Sequence, residues 1–358
     1  MSKIKSTVIE PPLIQEPINP NEIGRVLHLP YNAAGQMSTQ ALALKKLGVN
    51  TSFCDYYQSK FQFPTDVASP IKNLPKKQRE AAMLKFAKKN IAKYDIFHFH
   101  FGQSFTRYSY KDLPLLKAKK KKMVMNYWGT QVRRLSIAKK KNSFAIVKQP
   151  NEKLIVSRLN IISSYMDTAI VPDHELLEYV YGYFKKIYII RASIDQTLFT
   201  PFYPNIHNKK PLVVHAPTHR NVKGTEYIIK AVQNLKKVIK FDFVLIENMT
   251  NDQALTWYKK ADIVVDQLRL GIYGTVSIES MLFGKPVISF IREDLKYKYP
   301  PGLPVISATP HTIEKELYNL IKNPKLRYKL GVKGRKYATK HHHQDKIARQ
   351  LVTVYKNL

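Results

Sequence analysis

The sequence predicts an α/β protein of two domains, each a parallel sheet flanked by helices. Three observations carry that expectation. Short apolar runs alternate with helical periodicities along most of the chain. At 358 residues the chain exceeds one ordinary core. A polar stretch at residues 199–210, with Pro201, Pro204, asparagines and lysines, separates two such alternations.

The first alternation opens with an apolar run at 25–29 that leads into Pro-Tyr-Asn-Ala-Ala-Gly. Residues 36–47 carry Met37, Ala41, Leu44 and Leu47 at helical spacing and stop at Gly48. Residues 49–54 read as a strand, and 76–93 as a basic amphipathic helix with Met83, Phe86, Ala87 and Ile91 on one face. Strands are expected at 94–102, ending at a glycine, and at 121–126, 167–171 and 187–190. The second alternation places strands at 212–215, 241–247, 263–266 and 286–291, with helices at 224–235 and 252–260 between them. The C-terminal residues read as helical and charged. The expected division is a tail at 1–22, an N-terminal domain at 23–200, a second domain at 201–335, and a C-terminal helix at 336–358 packing back on the first domain. Two Rossmann-like domains facing a central cleft suit this order, because ligands of such sheets sit beyond the carboxyl ends of the strands.

Composition limits the functional classes. A hydrophobic share of 44% and an aromatic share of 11% describe a globular protein. No run of about 18 uncharged apolar residues could span a bilayer. The N-terminal residues are proline-bearing and lack an apolar signal core, so a cytoplasmic protein is expected. Cys54 is the sole cysteine, which excludes an intrachain disulfide and any cysteine-based metal site; a small buried thiol is the plain reading. The 59 Lys and Arg against 26 Asp and Glu give a net charge of +33. That excess favours nucleic acid, an acidic lipid surface or a phosphate-rich substrate as partner, or else reflects general lysine enrichment.

The most informative stretch is Gly-Ile-Tyr-Gly-Thr-Val-Ser-Ile-Glu-Ser-Met-Leu-Phe-Gly-Lys-Pro, beginning at Gly271. Gly271 and Gly274 allow unusual backbone conformations and close approach of a phosphate. Thr275 reads as an N-cap of a helix of about two turns ending at Gly284 and Pro286. A glycine-preceded helix start is an anion site. Glu279 either complements the helix dipole or, held ionised there, accepts two hydrogen bonds from a vicinal diol such as a ribose. A second cluster, residues 215–226, sets Arg220 and Lys223 in a loop before a helix start, where two cations can bind a diphosphate or remain solvated.

Together, and in this order, the clusters resemble the C-terminal domain of glycosyltransferases of the GT-B fold, in the large retaining group. The resemblance is strongest over 213–294. It covers Arg-x-x-Lys-Gly, then Tyr-Lys-Lys-Ala-Asp-Ile-Val-Val-Asp-Gln, Gly-x-Tyr-Gly-x-x-x-x-Glu-Ser-Met-x-x-Gly-Lys-Pro-Val and Phe-Ile-Arg-Glu-Asp. Weaker similarity extends over about 25–358, including the glycine loop at Gly35, His-Phe-His-Phe-Gly, and Ile-Asp-Gln-Thr-Leu-Phe-Thr-Pro. The resemblance implies that Arg220 and Lys223 hold the donor diphosphate and assist its departure, and that Glu279 binds the nucleotide ribose. Gly274, Thr275 and Val276 would lie beside the phosphates, with Tyr273 and Gly271 at the donor site. In this family a glutamate that contacts the transferred sugar commonly stands eight positions before the ribose glutamate; here that place is Gly271. Gly35, Gln36, His100, Gly102, Trp128 and Gly129 are the candidates for the acceptor side. The histidine that many relatives carry near the reacting carbon is absent at Tyr127, Trp128 and Gly129.

The implied activity is metal-independent transfer of a hexose from a nucleotide diphosphate sugar to a glycan, lipid-linked or phosphate-rich acceptor, with retention. No cofactor and no metal are expected. An epimerase acting on sugar nucleotides and a silent binding module are the alternatives. No Asp-x-Asp, P-loop or dinucleotide fingerprint occurs. His341, His342 and His343 point around a helix and are expected to be a solvated face. His98 and His100 share one face of their strand, and Trp128 is open to either sugar stacking or core packing. The basic residues 119–122 and the helix at 76–93 suit either an anionic membrane surface, which would make the protein peripheral, or plain solvation. The basic runs lack a nucleic-acid recognition signature, so nucleic acid is not an expected partner.

Overall fold

A computed structural model describes residues 4–57 and 65–358. The strands are β1 (Thr7–Ile9), β2 (Val26–Leu29), β3 (Thr51–Phe53), β4 (Ile96–His100), β5 (Lys122–Asn126), β6 (Thr168–Val171), β7 (Lys186–Ile189), β8 (Leu212–His215), β9 (Asp242–Leu245), β10 (Ile263–Val265) and β11 (Val287–Ile288). They form two parallel sheets, one ordered β1-β7-β6-β5-β4-β2-β3 and one ordered β11-β10-β8-β9. The architecture is the expected α/β class.

The chain divides into two compact units. The first comprises Met1–Arg134, Gln149–Ser193 and Gln344–Leu358; the second comprises Leu135–Lys148 and Ile194–His343. The chain thus changes unit at Ser193 and again at His343, a few residues from the divisions drawn at 200 and 335. The segment Leu135–Lys148 had no counterpart in the sequence reading. It belongs to the second unit because Asn142 Nδ2 donates to the Arg269 carbonyl at 2.8 Å and Arg269 Nε donates to the Phe144 carbonyl at 2.8 Å. The Phe144 ring also meets Phe290 and His311.

In the first unit, β4 is buried along its whole length, as expected of a central parallel strand. Its core includes Val26, Leu44, Ile96, Val124 and Ile170, closed by Ile347, Leu351 and Tyr355 of the helix Gln344–Lys356. The N-terminal stretch departs from the tail reading: β1 pairs with β7 at the sheet edge, and the Pro11 and Ile14 carbonyls accept from Gln350 and Arg349. In the second unit, the helix Thr225–Leu235 buries Ile228, Ala231, Val232 and Leu235, one stripe at helical spacing.

Both sheets reverse direction at a defined point. From β8 the chain places β9 on one side and β10 on the other; from β2 it places β3 on one side and β4 on the other. Such switch points leave a crevice outside the carboxyl ends of the strands.

Candidate nucleotide-binding site

In the second unit, the two sequence clusters follow the two strands that flank the switch point. His215 at the end of β8 pairs in register with Val265 at the end of β10. The buried His215 ring donates from Nδ1 to the Val265 carbonyl at 2.8 Å, so Nε2 accepts from the Thr225 hydroxyl at 2.9 Å. Burial pushes this imidazole down to about 4, and it stays neutral. It fastens the strand pair to the start of the helix Thr225–Leu235. Between them lies one helical turn, Arg220–Lys223, closed by Gly224 at φ +77°. Arg220 and Lys223 are therefore on a helical turn and not in an open loop.

Asp266, the first residue beyond β10, joins the clusters. Its carboxylate accepts from Lys223 Nζ, from the Gly274 amide at 2.9 Å and from the Ser277 hydroxyl at 2.6 Å. Gln267 Oε1 accepts from the same ammonium at 2.9 Å, and its amide donates to the Ile272 carbonyl. Burial pushes the Asp266 carboxyl up, but the Lys223 charge, with the hydroxyl and amide donors, outweighs it and holds the group below the usual carboxylate range. An ammonium, a glycine amide and a helix start are thereby brought to one point.

That helix is Thr275–Leu282, and its N-cap is Gly274 with no side-chain cap. Thr275 is the first helical residue, so the expected cap is displaced by one, to Gly274, which is extended and whose amide Asp266 holds. The first intrahelical bond runs from the Ile278 amide to the Gly274 carbonyl, which leaves the Thr275, Val276 and Ser277 amides without a helical acceptor. Glu279 follows in the next turn. Burial first, then the Asp266 charge, pushes its carboxyl up to about 8, with Lys223 opposing. The partly buried Glu279 thus takes a proton more readily than a free carboxyl, against the helix dipole's preference for the ionised form.

The remaining donor-side residues are placed as follows. Arg220 is exposed and ion-paired with Glu226 at 3.0 Å and Glu247 at 2.9 Å. Tyr273 is buried, with its hydroxyl 3.1 Å from His342 Nε2. His342 is itself buried. The expectation of a solvated face at 341–343 therefore fails for His342, which lies past the end of the helix Pro324–His341 and turns inward onto Tyr273. Gly271 adopts φ +79°, and the Arg292 side chain packs against it.

In the first unit, the candidates fall near the β2/β4 switch point, but several are engaged internally. Gly35 at φ +72° opens the helix Gln36–Lys46, and the buried Gln36 amide is used up by Ser193, donating to its carbonyl at 3.0 Å and accepting from its amide at 2.8 Å. Gly102 follows β4 at φ +64° and Gly129 follows β5 at φ +128°. His100 is fully buried, so it is not an exposed acid or base; it reaches Trp128, whose indole donates to His100 Nδ1 at 3.5 Å.

His28, His98 and His100 have ring nitrogens all within 4.8 Å of one another, a set that could hold a metal ion. Their hydrogen bonds define another state. An indole only donates, so His100 carries its proton on Nε2 and donates to His28 Nδ1 at 3.0 Å. His28 Nε2 then donates to the Tyr355 hydroxyl at 3.0 Å, which donates to His98 Nδ1 at 2.7 Å. Among the described residues, His98 Nε2 ends the chain as a buried donor with no partner. Burial pushes His28 down to about 3 and His98 and His100 well below their ordinary range. The sequence pointed to the two histidines of β4; His28 and Tyr355, distant in the chain, were not foreseen.

Compared with protein-family models and with curated proteins, the sequence matches none. Solved structures do match along nearly the whole chain. The sucrose-phosphate synthase of Thermosynechococcus elongatus is 15% identical with a TM-score of 0.61, over 93% of this chain and 98% of that one. Anabaena HepE, solved with UDP and glucose, is 11% identical with a TM-score of 0.64, over 94% and 100%. The UDP-GlcNAc 2-epimerase of Neisseria meningitidis, solved with UDP-GlcNAc, is 14% identical with a TM-score of 0.57, over 93% and 100%. Two parallel sheets of this topology together with these likenesses define the class: the protein has the GT-B fold.

Proposed function

We propose that the protein is a glycosyltransferase that takes a hexose from a uridine diphosphate sugar. The observation that carries the reading is the convergence, through Asp266, of Lys223, the Gly274 amide and the start of helix Thr275–Leu282, with Glu279 one turn further along. The unpaired amides and the ammonium suit a diphosphate, and they neutralise the charge that grows on it as the sugar departs. Arg220 swings from its exposed acidic partners to add a second cation. Glu279 receives the ribose diol and ionises as two hydroxyls donate to it. Charge neutralisation by side chains and amides makes a metal unnecessary in this scheme.

The choice of uridine rests on structural relatives solved with UDP, UDP-glucose and UDP-GlcNAc. The acceptor is a glycan or lipid-linked chain bound by the first unit, and transfer retains the anomeric configuration. The exposed lysines of the helix Lys76–Ile91, with Lys119, Lys120 and Lys122, suit docking at an anionic membrane surface. Co-sedimentation with phosphatidylserine vesicles but not neutral ones tests that element.

Because epimerases share the fold, the deciding experiment is incubation with UDP-glucose, UDP-GlcNAc and UDP-galactose, with and without crude glycan and lipid acceptors. Glycoside formation, or slow hydrolysis to UDP and sugar, supports the transferase. Interconversion of the donor sugars, or saturable binding with no product, overturns it.

A further inference from the structure

The loop that leads from β10 to helix Thr275–Leu282 has an unequal pair of ends. With a diphosphate at the helix start and its nucleoside running toward Glu279, the group on the other side of the diphosphate faces the early part of the loop, where Gly271 stands. Gly271 offers no side chain to that group. Its φ of +79° disfavours any other residue, and an added Cβ would stand 2.5 Å from Arg292 Cγ and 2.8 Å from Cδ.

What fills the space is Arg292. Its amide donates to the Gly271 carbonyl at 2.9 Å, and its side chain lies across the glycine. The guanidinium is almost fully buried and grips Asp294 by a fork, Nε to Oδ1 at 2.9 Å and Nη2 to Oδ2 at 2.6 Å. Lys141 Nζ approaches the same carboxylate at 3.4 Å, brought there by the Leu135–Lys148 excursion. The Asp294 side chain nonetheless remains 43% exposed. Oδ2 already takes both cations, whereas Oδ1, held by Arg292 Nε alone, keeps a second lone pair for an outside donor. A counter-ion serving only Arg292 would need neither the exposure nor a second cation.

We propose that Asp294, held by the Arg292 guanidinium whose stem lies over the bare Gly271, is the carboxylate that reads hydroxyl groups of the transferred sugar. Arg292 is a positioning residue, and its packing and a side chain at 271 exclude each other. The inference deepens the nucleotide-sugar reading and rests on it. It names the substrate class more closely: a neutral hexose with free hydroxyls on the edge that meets Asp294, since a carboxylate repels a uronic acid there.

The test measures UDP affinity and donor turnover side by side in the wild type, Asp294→Asn and Asp294→Glu, using UDP-glucose, its monodeoxy analogues and UDP-glucuronate. Asp294→Asn is expected to leave UDP affinity within about twofold and to lower kcat/KM for UDP-glucose by about tenfold or more. One deoxy analogue should be poor with the wild type yet lose nothing further in Asp294→Asn. Asp294→Glu, which keeps the ion pair, should change the ranking of the analogues. Intact UDP binding with unchanged donor ranking in both variants would overturn this inference alone. Failure of the wild type to bind UDP would overturn the nucleotide reading and this inference with it.

Discussion

Asp266 accepts a hydrogen bond from Lys223 although 43 positions separate them, and this buried ion pair ties the ends of two neighbouring parallel strands to the start of one helix. The Asp266 side chain is wholly buried and that of Lys223 nearly so. Neither strand end would assemble the proposed phosphate-binding groups alone. The pair does so because parallel strands that diverge at a switch point deliver their following loops to the same edge.

Asp266→Asn should destabilise the second unit by about 3 kcal/mol, since it strands the Lys223 ammonium in a desolvated place. Adding Lys223→Met should restore much of that loss, because the buried charge leaves with its partner. Urea unfolding of the single and double variants checks this. Purely additive losses would show that the pair does not couple.

Glu279 gives stability a pH dependence of unusual sign. Its folded carboxyl titrates near 8 and its unfolded one near 4.5. Between those values the native state keeps a proton that the unfolded chain has released, so this group's contribution falls as pH rises from about 4.5 to 8 and then levels off. Glu279→Gln should therefore gain on the wild type across that window, by about 4 kcal/mol at its upper end. Unfolding curves at pH 5, 6, 7 and 8 measure it; a constant difference between the two proteins contradicts the assignment. Nucleotide binding at pH 7 should also release a proton, visible in calorimetry as a heat that depends on the buffer's ionisation enthalpy.

The imidazole chain in the first unit makes the opposite prediction at acid pH. His28, His98 and His100 stay neutral when folded but take protons near 6.5 when unfolded, so their contribution is full above that value and is lost as pH falls below it. Tyr355→Phe removes the bridging hydroxyl and leaves His28 Nε2 and His98 Nδ1 without their partner. It should cost about 2 kcal/mol at pH 7 while leaving UDP affinity unchanged. Urea titration and UDP calorimetry on that variant check both halves.

Much of the fold was legible because apolar period and turn chemistry are local. Strands β2 to β10 and the helices expected at 36–47, 76–93, 224–235 and 252–260 fall within a few residues of the expected bounds, whereas the helix Glu152–Tyr165 was not among the expectations. β1 was not legible: three residues cannot display an alternation, and the surrounding prolines argue for a tail until β7 is there to pair with. The two motifs named Lys223, Gly274 and Glu279, and the structure brings the first two to one carboxylate, Asp266. Asp266 stood in a quoted motif, yet its role required the knowledge that β8 and β10 are neighbours. His342 was misread because a run of histidines looks like a solvated face until Tyr273 approaches from a distant loop. The same reason hid Arg292, whose packing explains the bare glycine that the sequence could only report as missing a glutamate.

The central claim is tested most directly by calorimetric titration of UDP into the wild type, Lys223→Ala and Glu279→Ala under one set of conditions. The account predicts saturable binding to the wild type and a loss of about tenfold or more in affinity in each variant, with both still folded. Undiminished binding in both variants, or no binding of UDP to the wild type, would contradict it.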